Sequence, residues 1–385
     1  MRHVAVVGLR GIPDVMGGIE THCAELLPRM ARQSDDLTLT VLSRRRYATA
    51  PDPAPGVRQI PLAAPSGRGT EALVHSLWAV LYARLALKAD AVHLHGIGPG
   101  LAAPLARGLG MGVLFTHHGE DYARAKWKLP ARLILRLGEA LALRLSHRII
   151  TVSAGTAARL KARAPGRADR IVHLPNGVSE PATAGDAEAV MARHGLRPGQ
   201  FVIQVGRIEP EKGQDTLIDA FRASGGARGT SPMKLLLVGE ADHQSGYSRR
   251  IMAMAGHGVE LAGRLDRDTI FALNRRAALF VLPSLHEGLS IAALEALKAG
   301  APVLLSDIEP NRNLGLEDRH YLKPGSVEDW AKGLRGDPAR HRVRQGFDPA
   351  LYDWDVIARR TLTLLDALPG GRVRLAGTER SAPDV

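Results

Sequence analysis

"PSLHEGLSIAALEALKAGAPVLLSD", residues 283–307, reads as a strand end, a tight loop, a helix, a glycine stop and a second strand. Ser290 is a good N-cap, and a helix opening at Ile291 would close near Gly300. Strand, crossover helix and strand in so short a space is the repeating unit of a parallel sheet. Two carboxylates, Glu287 and Glu295, sit where sheet and helix must pack, which is an unusual place for charge. With Glu287 in the loop and Glu295 one turn inside the helix, they lie about 7 to 10 Å apart at a rise of about 1.5 Å per residue. The N–H groups of Gly288, Leu289 and Ser290 would point out of the helix end and make a seat for a phosphate. A diphosphate between two hydroxyl-binding carboxylates is the outline of a sugar nucleotide. By their residue types the two glutamates are also compatible with a dipole partner and a solvated helix face.

Outward from this stretch the same grammar repeats. "FVIQVGR", "DTLIDAFRA", "KLLLVGE", "YSRRIMAMAG", "VELAG", "RDTIFALNRRA" and "LFVLPS" alternate strand-like and helix-like runs, and so do "VAVVGL", "IETHCAELLPRMARQ", "LTLTVLSR", "AVHLHG", "GVLFTHHG" and "RIITVS" in the first half. The alternation predicts an α/β chain of two Rossmann-like, doubly wound parallel-sheet domains facing a central cleft, where such sheets bind ligands. The boundaries fall at 1–178 for an acceptor-binding domain, 179–199 for a Pro/Gly/Ala-rich linker and 200–350 for a nucleotide-sugar-binding domain. Residues 351–368 are expected to form a helix that crosses back to the first domain, with Leu362, Leu365 and Leu368 on one side. Residues 369–385 lack apolar periodicity and are expected to be disordered.

A length of 385 residues allows two full cores, and 45% hydrophobic content with one cysteine excludes a disulfide framework. Cys23 is expected to be inert packing. The absence of a signal-peptide layout predicts a cytoplasmic chain, and no apolar run is long enough to span a bilayer. The net charge of +12 is uneven: residues 1–178 carry 24 Lys and Arg against 12 Asp and Glu, and residues 179–385 carry 27 against 27. A basic first half points to an anionic partner or to a solvated basic face. Nucleic acid is not the expected partner, because the basic residues are not interleaved with stacking aromatics.

"GRIEPEKG" places Arg207 and Lys212 on one strand-to-helix loop, where a guanidinium and an ammonium would neutralise a departing diphosphate. This loop, "VGE" after the next strand, "AGRL" before a helix and the Glu-x7-Glu pair in "EGLSIAALE" resemble the nucleotide-binding lobe of the family 4 retaining glycosyltransferases of GT-B fold, over residues 202–300. The resemblance implies that Arg207 and Lys212 bind the diphosphate, Glu287 the donor sugar and Glu295 the ribose. It implies that main chain at Gly263, Arg264 and Leu265 touches the base, and that no metal and no cofactor is needed. Asp266/Asp268 and Asp353/Asp355 have metal-ligand spacing, yet each pair precedes a helix, where aspartates cap.

In the first half, "GLRGIPDVMGGIETHCAEL" sets Gly17 and Gly18 where main chain can approach a ligand closely. It departs from the dinucleotide fingerprint and resembles the opening of bacterial polysaccharide glycosyltransferases, some of which transfer rhamnose. Glu20 belongs to that pattern, with a structural or acceptor-linked role. In "FTHHGEDY", His118 matches the family's strand-His-Gly pattern as a donor-sugar contact, and His117 is read as structural. His93 and His95 are read as core and rim, since no cysteine or carboxylate cluster completes a zinc set. In "RAKWKLPARLILRLGEALALRLSHR" the stripe Leu133, Leu137, Leu141 and Leu145 predicts a helix packed on the sheet. Lys126, Trp127, Lys128, Arg132 and Arg136 suit an anionic membrane face.

Together these readings predict a retaining hexosyl- or deoxyhexosyltransferase with a nucleotide-sugar donor and a polyprenyl-linked glycan acceptor, peripheral to the inner face of the plasma membrane. A GT-B epimerase or hydrolase, and a nucleic-acid-binding or non-catalytic scaffold protein, are the alternatives.

Overall fold

The computed structural model describes residues 2–13, 15–47, 52–65, 70–123, 127–226 and 232–370, in two compact units. The first unit comprises residues 1–177 and 353–385, and the second 178–352. Among the described residues the first unit contains β1 (Arg2–Val7), α1 (Gly18–Arg32), β2 (Leu37–Arg44), β3 (Val57–Leu62), α2 (Thr70–Leu85), β4 (Ala91–His95), α3 (Ala103–Gly108), β5 (Gly112–His117), α4 (Leu129–Leu145), β6 (Arg148–Thr151), α5 (Ala154–Arg163) and β7 (Ile171–His173). Its strands pair in parallel in the order β3-β2-β1-β4-β5-β6-β7. The order reverses at β1, so the loops after β1 and β4 diverge at a topological switch point, where ligands of such sheets gather.

The second unit contains α6 (Ala187–His194), β8 (Phe201–Val205), α7 (Gln214–Ser224), β9 (Lys234–Val238), α8 (Gly246–Ala253), β10 (Val259–Gly263), α9 (Arg267–Arg276), β11 (Leu279–Leu282), α10 (Ile291–Lys298), β12 (Val303–Ser306), α11 (Glu309–Arg312), β13 (Tyr321–Leu322) and α12 (Val327–Leu334). Its sheet is parallel in the order β10-β9-β8-β11-β12-β13. Central strands such as β11 and β12 are buried at every position, which is why they read as continuous apolar runs rather than alternating ones. Residues 179–199 belong to this unit: Val190, Met191 and Leu196 enter its core. A segment that buries three apolar side chains cannot act as a free linker.

The last helix, α13 (Trp354–Asp366), belongs to the first unit. Leu362, Leu365 and Leu368 are buried. Arg2 fastens its end: the guanidinium, fully buried at the start of β1, donates to the carbonyls of Leu365, Leu368 (3.2 Å) and Pro369 (2.7 Å). Those are orphan carbonyls of a helix C-terminus, satisfied by the charge that its dipole favours. Residues 371–385, most of the tail expected to be disordered, lie outside the described residues.

Helix α4 departs from its expected packing. Leu133 and Leu137 are exposed, together with Leu129 and Ile134, and the buried face is Gly138, Glu139, Ala142 and Leu143. The reason is steric. A Cβ on Gly138 would stand 2.2 Å from the carbonyl oxygen of Ile97, and one on Gly100 would stand 2.6 Å from that of Gly138. Close approach through glycines selects the small-residue face and turns much of the leucine stripe outward. No helix among the described residues is long and apolar enough to cross a membrane.

Candidate active site

In the second unit the site grows from three strand ends. After β8, Gly213 takes φ +64°, and a Cβ there would come within 2.5 Å of the Pro283 carbonyl oxygen. Only glycine lets the chain turn into α7 against the strand-end loop that carries Glu287. That turn brings Lys212 to Glu287, Nζ to Oε1 2.6 Å, and Ser284 Oγ donates to the same oxygen at 2.7 Å. Ser284 is itself tied to the next strand, because Ser306 Oγ donates to its carbonyl at 2.5 Å. Glu287 is therefore held through Oε1 from two loops.

Arg207 leaves β8 and meets Asp242 (2.5 Å) and Glu209 (3.1 Å). Gln214 fixes the arginine's own backbone, donating to its carbonyl at 2.8 Å. Glu295 is buried in α10 and is bound by Arg267, whose Nε and Nη2 lie 2.7 and 2.6 Å from Oε1. Ser290 caps α10 by accepting from Ala293 N–H at 3.3 Å. Gly288, Leu289 and Ser290 thus lead into the positive end of an eight-residue helix, as expected. Gly263 ends β10 with φ +68°, and Glu240 Oε1 accepts from Arg264 N–H at 3.4 Å, next to Leu265. Two cations, two carboxylates and a helix end on neighbouring strand-to-helix loops can hold a diphosphate and several hydroxyls.

Lys212 and Glu287 meet, whereas Arg207 and Glu295 have separate partners, Asp242 and Glu209 for the first and Arg267 for the second. Sequence reasoning passed over Asp242, Ser284 and Arg267. Arg267 carried a signal, since it opens α9 directly after the cap Asp266, but nothing in its spacing named Glu295 as its partner. The Asp-x-Asp aspartates serve helix ends and loops. Asp266 accepts from Thr269 N–H (2.8 Å), Asp268 from Thr183 N–H (2.8 Å), and Asp353 from Asp355 N–H (2.7 Å).

In the first unit, Glu20 accepts from the backbone N–H (3.1 Å) and Nε (3.0 Å) of Arg10. This pins the glycine loop, with Gly17 and Gly18 at its end, onto α1. His117 turns inward: its Nδ1 accepts from Gly119 N–H (3.2 Å) and its Nε2 donates to Glu139 (2.9 Å). Arg163 reaches the other oxygen of Glu139 at 2.5 Å. Burial pushes the Glu139 carboxyl up, and these hydrogen bonds outweigh it and hold the pKa below its ordinary value.

His118 does not stand by itself at a rim. Its Nε2 shares a hydrogen bond of 3.0 Å with Nδ1 of His95, and its ring stands edge-to-face with His22 at 4.8 Å. Cys23 is fully buried, with burial pushing its thiol pKa up, in keeping with a packing role, and its Sγ is 3.7 Å from His95 Nδ1. Burial pushes the pKa values of His95 and His118 well below the imidazole range, and repulsion from neighbouring histidines, His22 and His93 among them, pushes them further. Of the residues expected to suit a membrane face, Lys128 and Arg136 are exposed, and Arg136 lies over the Tyr122 ring at 5.3 Å. Arg132 and Trp127 are half-buried, and Lys126 lies outside the described residues.

Residues 16–180 match the family Glycosyltransferase Family 4, and residues 187–336 match Glycosyl transferases group 1. The GDP-mannose:cellobiosyl-diphosphopolyprenol alpha-mannosyltransferase of Xanthomonas oryzae is 31% identical over 311 residues, which cover 75% of this chain and 77% of the relative. Among solved structures, a sucrose-phosphate synthase from Thermosynechococcus elongatus superposes with a TM-score of 0.77 at 22% identity, over 95% of this chain and 98% of that one. An Anabaena protein solved with UDP and glucose gives 0.71 at 17% identity, over 96% and 100%. Both have the same two-sheet fold.

Proposed function

The chain belongs to glycosyltransferase family 4, and from that premise we propose a retaining transferase that moves a hexose or deoxyhexose from a nucleotide sugar to a polyprenyl-diphosphate-linked glycan. The setting proposed is bacterial exopolysaccharide, capsule or O-antigen assembly at the inner face of the plasma membrane. The observation that carries this reading is the Lys212–Glu287 pair at 2.6 Å beside the N-terminus of α10. It supplies a cation for phosphate and a carboxylate for sugar hydroxyls from adjoining loops. The relative's name supports the choice of a lipid-linked acceptor, and the basic first half supports an acceptor that carries phosphates.

In this mechanism Arg207, Lys212 and the α10 N-terminus hold the diphosphate, Glu287 the sugar, Glu295 the ribose, and main chain at Gly263–Leu265 the base. The bond between the anomeric carbon and the diphosphate oxygen breaks as the acceptor oxygen bonds to the same face of that carbon. The acceptor proton passes to the departing diphosphate oxygen. Charge grows on the diphosphate as the bond lengthens, so cations fixed in place favour the transition state over the bound donor. The reading gives His118 and the Gly17–Gly18 turn to the sugar-transfer end, and it needs no cofactor and no metal. The exposed leucines of α4, next to Lys128 and Arg136, support docking on anionic lipid, since apolar burial and charge act together there.

The test is transfer from labelled UDP-, GDP- and dTDP-sugars into butanol-extractable lipid of bacterial membranes, with EDTA present. One donor should label lipid, and Glu287→Gln should lower the rate by about 10²- to 10³-fold. Released nucleotide or an altered sugar with no labelled lipid would replace this reading with a hydrolase or an epimerase.

A further inference from the structure

We infer that His22, His95 and His118 form a binding site for a zinc-type divalent cation, within the first unit. One ligand nitrogen from each of the three can be chosen so that all lie within 4.8 Å of one another. They come from three separate elements: α1, the end of β4 and the residue after β5. Tetrahedral zinc with nitrogen ligands at about 2.0–2.1 Å sets those nitrogens about 3.3 Å apart. His95 Nδ1 and His118 Nε2 stand at 3.0 Å, where an ion would replace the proton they share.

The third histidine is prepared for the role. His22 is 2% exposed, and its Nδ1 donates to Asn176 Oδ1 at 2.9 Å. That hydrogen bond fixes the tautomer, so Nε2 carries a lone pair, and among the described residues it has no hydrogen-bond partner. A buried acceptor left unmade is costly, and an outer hydrogen bond on one ring nitrogen is the usual way to orient the other toward a metal. Three histidines leave a fourth position for water or an anion, and Cys23 Sγ lies 3.7 Å from His95 Nδ1. The consequence for activity rests on the transferase reading. His118 cannot ligate an ion and serve the sugar at once, so zinc would act as an inhibitor.

Binding is measured apart from transfer, so the failure of either reading leaves the other standing. Cobalt(II) titrated into the full chain should give one saturable set of intense visible bands of a four- or five-coordinate ion, displaced by one equivalent of zinc. His22→Ala should abolish the bands. Asn176→Ala, which leaves all three ligands in place, should weaken binding about 10- to 100-fold. Absence of saturable one-to-one binding by the native chain overturns the site. So does binding of unchanged strength in a folded His22→Ala chain, which would put the ion elsewhere.

Discussion

Arg267 opens α9 and delivers two N–H groups to one oxygen of Glu295, a buried carboxylate on a different helix. A buried carboxylate is costly unless it is paired, and removing one of its charged partners raises that cost. Arg267→Ala should therefore act through Glu295. A hydrogen bond between charged groups contributes about 1.5–3 kcal/mol, so donor KM should rise about 10- to 100-fold with a smaller change in kcat. Steady-state kinetics with varied donor checks this, and an unchanged KM would remove Glu295 from the donor site. The glutamates were legible because they are charges in an apolar run. Arg267 as the partner of Glu295, and Asp242 as the partner of Arg207, were not, because both are ordinary surface residue types until the fold sets them opposite a carboxylate or a cation.

Helix α4 shows how one contact sets the orientation of an element. Its sequence presents both a leucine stripe and a Gly138/Ala142 face, and periodicity favours the leucines. The winning contact is the approach of Gly138 to the backbone of Ile97, which no larger residue permits. Gly138→Ala should destabilise the first unit by about 1–3 kcal/mol, the usual cost of overpacking against rigid backbone. Gly108 in α3 meets nothing within 4 Å of an added Cβ, and Gly108→Ala should be neutral or stabilising by up to about 1 kcal/mol. Thermal unfolding of the pair checks the contrast. The outward leucines give a second expectation: Leu133→Glu with Leu137→Glu should leave stability nearly unchanged and weaken flotation with phosphatidylglycerol vesicles. Equal flotation would locate any lipid contact elsewhere.

Across the first unit, buried neutral histidines make stability depend on pH. His22 and His93 have pKa values pushed down to about 4 and about 3 by burial, against 6.5 in an open chain. Below pH 6.5 the unfolded chain takes up protons that the folded one refuses, so stability falls as pH falls, until the folded values are reached. Each such histidine contributes a slope of about 1.4 kcal/mol per pH unit. Glu139, held below its ordinary pKa, adds a loss in the same direction only below about pH 4.5. Urea midpoints measured with a chelator should drop steadily from pH 7 to pH 5, and His93→Leu should flatten the slope. A midpoint constant over that range would mean that the histidines are solvated.

The amino-acid order was sufficient for the two parallel sheets, the loops that end their strands and the charged residues those loops carry. Periods of 2 and 3.6, caps and glycine stops are local, and parallel sheets buried on both faces write themselves as apolar runs. Tertiary structure decided the pairings: Lys212 with Glu287, Arg267 with Glu295, Arg2 with the end of α13, and three histidines from separate elements around one point. Those contacts join residues distant along the chain, and which side chains meet depends on crossover packing and glycine-sized approaches, which no local period records.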